Sequence, residues 1–427
     1  MIWLIYNLLF PVLFLVMLPY FLLRMCRRGG YARGFMQRLG VYDAALKARI
    51  TERPRVWVHA VSVGETFVAL RFMEEWRLVQ PDIAFVMTVN TSTAHTLATK
   101  ALNPADVLVY FPVDFPWIIR RVLRLLSPRM LVLTECEFWP NLIRLSKVRG
   151  IPVMLINGRL SDRSFKGYFR YRWLFTPLLR MVDHLCVQGP QDRDRYLALG
   201  AAPVQVQETG SAKYDVALKE PGKRETAQTI LASARMAAGD LILLGGSTWP
   251  GEEAILLDYF VEAKSRHPDL KLVLVPRHAE RRDEVVATME RRGIKYIQRS
   301  KGGPGEADVL LVDTTGELKH LYTAATVIFI GKSLTQHGGQ NIIEPAVCGR
   351  PVVVGPNMEN FADIVREFKA AEALIQVGTQ VELREKLDQL LADVTLQKSF
   401  GDRAAAWVGK NRGSIKATVT AAQRLLP

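Results

Sequence analysis

Cysteine is scarce: Cys26, Cys136, Cys186 and Cys348 are the only four in 427 residues, with no CxxC pair and no clustering with histidine. That excludes a disulfide framework and argues against a zinc site. A Walker-type phosphate loop, a Gly-x-Ser-x-Gly elbow and an H-E-x-x-H helix are all missing. P-loop phosphotransfer, α/β-hydrolase chemistry and zincin proteolysis lose their usual signatures with them. The one Asp-x-Asp, Asp192-Arg193-Asp194, lies in a charge-alternating helical stretch rather than at a strand end and reads as a solvated face. His59, His278 and His337 have no paired spacing. No metal and no cofactor are therefore expected. The basic residues are spread out rather than run together, and nothing resembles a nucleic-acid module. Charge of either sign is absent from residues 1–23.

What is present points to a large globular chain. Hydrophobic residues make up 49% and charged residues 23%, and the length suggests about two domains. The net charge of +14 calls for an anionic partner such as a membrane surface or a phosphorylated substrate. Residues 1–23 include Trp3, Tyr6 and Tyr20, which suit an interface. At about 1.5 Å per residue the segment is long enough for a bilayer core of about 30 Å, although Pro11 and Pro19 interrupt it. Arg24, Arg27, Arg28, Arg33 and Arg38 follow. The positive-inside tendency then predicts a single N-terminal anchor with the body of the protein in the cytoplasm. A helix lying in the interface is the alternative.

Short apolar runs recur through the rest of the chain, with helix-like segments between them. Strands are predicted at 55–61, 83–89, 107–111, 130–134, 152–157, 185–188 and 204–208, then at 241–245, 271–276, 294–298, 309–313, 326–330 and 351–354. Near-continuous apolar runs of this kind indicate parallel sheets covered on both faces. The polar segment 219–226 (KEPGKRET) divides the series into similar halves. The expected fold class is α/β, with two doubly wound, Rossmann-like domains facing a cleft and ligands at the carboxyl ends of the strands. The expected parts are an anchor at 1–23, a first domain at 24–220, a second at 221–400, and a helix at 401–427 that packs back.

Several polar groups stand just past predicted strands. Glu65 follows the first, in HAVSVGET; it reads as a group facing the cleft or as a helix-capping carboxylate. Glu135 and Glu137, in TECEFWPN, alternate and would point to opposite faces if the strand continues. Segment 157–173 interleaves Arg159, Arg163, Lys166, Arg170 and Arg172 with Phe165, Tyr168, Phe169 and Tyr171. It suits a phosphorylated amphiphile or an amphipathic surface. In the second half, Gly246-Ser247-Thr248 and Pro276-Arg277-His278 each end a strand, and Gly316-Glu317-Leu318 follows the strand at 309–313. Run 331–356 (GKSLTQHGGQNIIEPAVCGRPVVVGP) joins a strand to a helix predicted from Asn341. Its glycines and helix start would face a phosphate, and Glu344 would take ribose hydroxyls. An ordinary strand–turn–helix is the plain alternative.

The motifs WVHAVSVGE, TECEFWPN, NGRLSDRS, SAKYD, GSTWPGEE, VPRH, GEL and HGGQNIIEP occur in this order. Together with the apolar start and Gly30-Tyr31, the chain resembles the Kdo transferases of Gram-negative bacteria, which are membrane-anchored glycosyltransferases of the GT-B type. The resemblance implies inverting transfer of 3-deoxy-D-manno-octulosonic acid (Kdo) from CMP-Kdo to the 6′-hydroxyl of a tetraacyl lipid A precursor (lipid IVA), at the anionic inner membrane and without a metal. It assigns Glu65 as general base and Glu135 and Lys213 as transition-state support. It places CMP at Pro276, Arg277, Gly316, Glu317, Leu318, Asn341, Ile342, Ile343 and Glu344. Arg159 and Arg163 are acceptor-binding candidates. Trp249, Ser211, Lys332 and Gln340 stand where histidine, asparagine, glycine and histidine are expected. A different lipid glycosyltransferase or a UDP-sugar epimerase of the same fold is the rival enzyme reading, and a scaffold with a degenerate site is the non-enzymatic one.

Overall fold

The computed structural model describes residues 2–28, 34–217, 222–237, 239–302 and 305–426, with the side chains of 2 and 20–28 left aside. Gly30-Tyr31, Arg33 and positions 219–221 of the expected linker lie outside the described residues. The chain divides into two units, Met1–Val216 with Arg412–Pro427, and Ala217–Asn411.

The first unit holds β1 (Val56–Ala60), β2 (Phe85–Val89), β3 (Val107–Tyr110), β4 (Met130–Thr134), β5 (Val153–Gly158), β6 (His184–Val187) and β7 (Val206–Glu208). They form one sheet in the order β3-β2-β1-β4-β5-β6-β7, parallel throughout. Alternation along the strands feeds two cores. Trp57, Leu131, Leu133, Val153 and Leu155 enter one, while Val56, Val58, Met130, Val132 and Met154 enter the other. Helices cover both faces, so the strands are apolar on both sides, each fully buried side chain contributing about 1.5–3 kcal/mol. The C-terminal helix Ser414–Leu425 brings Ile415 and Val419 into the second core, beside Val68 and Phe72 of the helix Val63–Val79.

The second unit contains β8 (Leu241–Thr248), β9 (Leu270–Pro276), β10 (Tyr296–Gln298), β11 (Val309–Leu311), β12 (Val327–Ile330), β13 (Val352–Val354) and β14 (Ile375–Gln376). Its parallel sheet runs β10-β11-β9-β8-β12-β13-β14. Each of the thirteen expected strands is found at its place. The two-residue, half-buried β14 gave no run long enough to notice. Strand β8 continues past its expected end through a bulge between Gly246 and Thr248, with Ser247 at a φ of 53°.

The N-terminal segment requires a correction. It forms a helix, Ile2–Arg28, but among the described residues no helix is long and apolar enough to cross a membrane. The expectation of a single spanning anchor, with the body placed on the cytoplasmic face of the inner membrane, is overturned. One face of this helix is committed to the first unit instead. The Tyr6 hydroxyl donates to Asp114 at 2.9 Å, and the Asn141 amide donates to Asn7 Oδ1 at 2.7 Å. Phe10 and Phe14 pack edge-on against Phe115, and Arg144 lies over Trp3.

Both sheets reverse their strand order beside their first strand. In the first unit the reversal lies between β1 and β4, and in the second between β8 and β12. Open parallel sheets bind ligands outside the carboxyl ends at such points.

Candidate active site

Glu65 sits where β1 turns into the helix Val63–Val79, and its side chain is only 6% exposed. Ser62 caps the helix through its hydroxyl, and Glu65 reaches back to complete a capping box. Its Oε2 accepts the Val61 N–H at 2.9 Å and the Thr134 hydroxyl at 2.8 Å, while Oε1 takes only a long bond from Ser62 N–H at 3.3 Å. A carboxylate offers about four lone-pair sites, so one on Oε1 stays open. The capping reading holds, and it leaves Oε1 room for a further hydrogen bond.

Across the reversal, β4 ends at Thr134 and the chain turns at once. Glu135 adopts a φ of 51°, and the Glu137 N–H bonds the Thr134 carbonyl at 3.1 Å. The strand does not continue, so the expectation of opposite faces fails. Both carboxyls join one electrostatic group. Burial first, and the charge of Glu65 among other groups, raise the Glu135 carboxyl; Lys213, Arg159 and the Asn157 amide pull it back down. Glu137 rises to about 7 through burial, then Glu65, with Glu135 adding to the rise and a bond from the Trp139 indole opposing it. Asn157, at the end of β5, also has a positive φ of 55°. It donates to Glu135 and accepts the Ala212 N–H, which ties TECE to the SAKYD helix Ala212–Ala217. Two non-glycine residues in the left-handed region at neighbouring strand ends are strain of the kind functional sites store.

Glu65, Glu135, Lys213 and Arg159 are thus brought together. Arg163 is not: it lies on the exposed helix Asp162–Arg170. Thr134 is a member that sequence reasoning did not single out, and Glu137 was weighed beside Glu135 but given no role. Only the recognition that TECE turns would have placed Glu137 in the group. His59 is fully buried, bonds Thr88, stacks on Phe111 at 3.8 Å, and burial lowers its pKa to about 3; it is a neutral core residue.

In the second unit, Pro276 is buried at the end of β9, and Arg277 follows exposed, its N–H on the Thr248 carbonyl. Glu344 reaches solvent, yet the chain packed around it raises its carboxyl by desolvation. The Asn341 amide, Lys319 and Arg277 counter that rise. A cavity of about 190 Å³ beside it is lined by Lys319, Tyr322, Glu344 and Cys348 among others. Gly316 takes a φ of 90°, Glu317 is braced by Thr314 and Arg299, and Leu318 opens the short helix Leu318–Leu321. Ile342 and Ile343 are buried and offer only backbone.

The glycine turn differs from expectation. The helix beyond it is five residues, Ile343–Val347, and starts two residues later than predicted. Its dipole is correspondingly small. The Gly338 N–H is given to Glu359 and the Gly339 N–H to the Lys332 carbonyl. Glu252, fully buried, holds the loop ahead of the turn by accepting the N–H groups of Trp249, Lys332, Ser333 and Leu334. Among the described residues no group of three or more His, Cys, Asp or Glu side chains is placed to hold a metal ion.

Two doubly wound units, each with polar side chains gathered at its strand-order reversal, define a GT-B-like α/β fold. Residues 33–216 match the family model described as 3-deoxy-D-manno-octulosonic-acid transferase (kdotransferase), and residues 255–407 match glycosyl transferases group 1. The chain is 34% identical over 384 residues to the 3-deoxy-D-manno-octulosonic acid transferase of Bordetella pertussis, covering 86% of each chain. It is 28% identical to the enzyme of that name from Haemophilus influenzae, covering 90% of each. The chain belongs to the 3-deoxy-D-manno-octulosonic acid (Kdo) transferase family. A UDP-GlcNAc 2-epimerase from Neisseria meningitidis bound to UDP-GlcNAc has the same fold (TM-score 0.59, 13% identity, 86% of this chain and 99% of that one) and shows the fold alone.

Proposed function

We propose that the protein transfers Kdo from CMP-Kdo to the 6′-hydroxyl of a tetraacyl lipid A precursor, with inversion and without a metal ion. The observation that carries this reading is the grouping of Glu65, Glu135, Glu137, Lys213 and Arg159 at the first unit's switch point in a chain of this family. Glu65 Oε1, with a lone pair open, takes the proton of the acceptor hydroxyl as it attacks the anomeric carbon. The C–O bond to the CMP phosphate breaks on the opposite face, and the bonding pair leaves with the phosphate. One base acting on one attacking hydroxyl gives a single displacement, hence inversion. Glu135 and Lys213 stabilise the developing charge as an oriented pair. In the second unit, Glu344 and the adjoining cavity take the ribose, and Arg277 is an exposed cation for the leaving phosphate.

Mass spectrometry of the lipid A precursor after incubation with the protein and CMP-Kdo tests the reading. The expected product carries one or more added Kdo residues, and an unchanged precursor beside an active control enzyme overturns it. Thermal stabilisation by CMP and not by UDP separates this reading from that of a UDP-sugar epimerase.

A further inference from the structure

Trp249 and Lys332, two of the positions where the chain departs from the family pattern, touch each other. Trp249 follows β8 by one residue and Lys332 follows β12 by two, and these strands are the neighbours at the second unit's strand-order reversal. One buried oxygen pins both backbones: Glu252 Oε2 accepts the Trp249 N–H at 2.9 Å and the Lys332 N–H at 2.8 Å. The Lys332 ammonium then lies 4.6 Å from the centroid of the Trp249 ring, which meets His278 edge-on at 5.4 Å. The ammonium is 3.4 Å from the point a Cβ on Gly338 would occupy, so it rests against the glycine turn.

Three observations suit this strand end to an anionic group. Lys332 is half-buried without an acidic partner among the described residues. It takes a φ of 57°, a left-handed conformation that glycine reaches without steric cost. Thr248 Oγ1 and Trp249 Nε1 are buried with no hydrogen-bond partner in the protein, so polar capacity at this strand end is left over. The turn's own donors do not compete for that role, since Gly338 and Gly339 have already given their N–H groups away.

We infer that Lys332, steadied by Trp249, is a cation, additional to Arg277, that receives an oxyanion of the donor at this strand end, either the nucleotide phosphate or a carboxylate on the transferred sugar acid. The inference rests on the CMP-sugar reading of the second unit. Lysine supplies a movable point charge, and the indole face fixes where that charge stands.

The test compares Lys332→Gln and Lys332→Arg with the parent in calorimetric binding of CMP and cytidine and in initial rates with CMP-Kdo. Lys332→Gln keeps the Cβ and removes the charge. It is expected to weaken CMP binding about tenfold or more, the loss of one charge-assisted hydrogen bond, with cytidine binding unchanged. That result assigns the phosphate. Unchanged CMP binding with a KM for CMP-Kdo raised about tenfold assigns the sugar carboxylate. Lys332→Arg keeps the charge and is expected to stay near the parent. CMP binding and KM both within about twofold of the parent in Lys332→Gln would overturn the inference. A parent protein that binds no CMP and transfers nothing refutes the donor reading itself, so the two failures are distinguishable.

Discussion

The Thr134 hydroxyl bridges two strands and the helix that follows them, with its oxygen 2.8 Å from Glu65 Oε2 and 2.9 Å from the His59 carbonyl. A hydroxyl has one proton to give, so it serves one of these acceptors at a time and holds both near a fixed point. In the proposed reaction Thr134 acts through Glu65 as a positioning residue. Thr134→Val has the same shape without the donor. It is expected to lower kcat about tenfold with little change in KM, at a stability cost of about 1–2 kcal/mol. Thr134→Ser should restore most of the rate; steady-state kinetics and thermal melts on both variants check this.

Glu137 makes stability depend on pH in a definite direction. Burial, followed by the charge of Glu65, raises its carboxyl to about 7 from the ordinary glutamate value of 4.5. Between those values the folded state holds a proton that the unfolded state has released. The folded state is therefore favoured at low pH, and this contribution is lost as pH rises from about 4.5 to about 7. Glu137→Gln removes the titration and keeps an acceptor for the Trp139 indole. The variant should melt higher than the parent at pH 8 and close to it at pH 5.

Glu252 holds four backbone N–H groups from within the interior. Glu252→Ala strands them all, and a loss of about 3–5 kcal/mol is expected. The effect should fall on the second unit, read as lost thermal stabilisation by CMP. Denaturant titration with and without CMP measures it.

Asp114 accepts the N–H groups of Asn141 and Leu142 at the start of the helix Pro140–Val148, and the Tyr6 hydroxyl as well. Asp114→Ala should cost about 2 kcal/mol through the orphaned helix donors. Tyr6→Phe removes only the tether to the N-terminal helix and should cost about 1 kcal/mol. Denaturant midpoints for the two variants give the comparison.

Strand placement was legible because runs such as VWVHA and MLVLT are nearly all apolar, with His59 and Thr134 their single polar residues, and a sheet covered on both sides is what such runs fit. Glu65 was legible as a residue past β1, and its capping bonds were anticipated beside its chemistry. The joint placement of Glu135 and Glu137 was not. It depends on Glu135 adopting a left-handed backbone, which no local pattern announces for a glutamate. Glycine-rich HGGQN suggested free N–H groups, but the carboxylate that takes one of them, Glu359, stands 21 residues on from Gly338. The N-terminal run was read from composition alone, and the bonds from Tyr6 and Asn7 to residues more than a hundred positions away lay beyond that reading.

In the proposed reaction Glu65 performs the attack step while the second unit holds the nucleotide. The most direct test is Glu65→Gln, measured for single-turnover Kdo transfer and for CMP binding in one preparation. The predicted result is a transfer rate lowered by about a thousandfold with CMP affinity unchanged. Transfer within about tenfold of the parent by a folded, CMP-binding variant would contradict it.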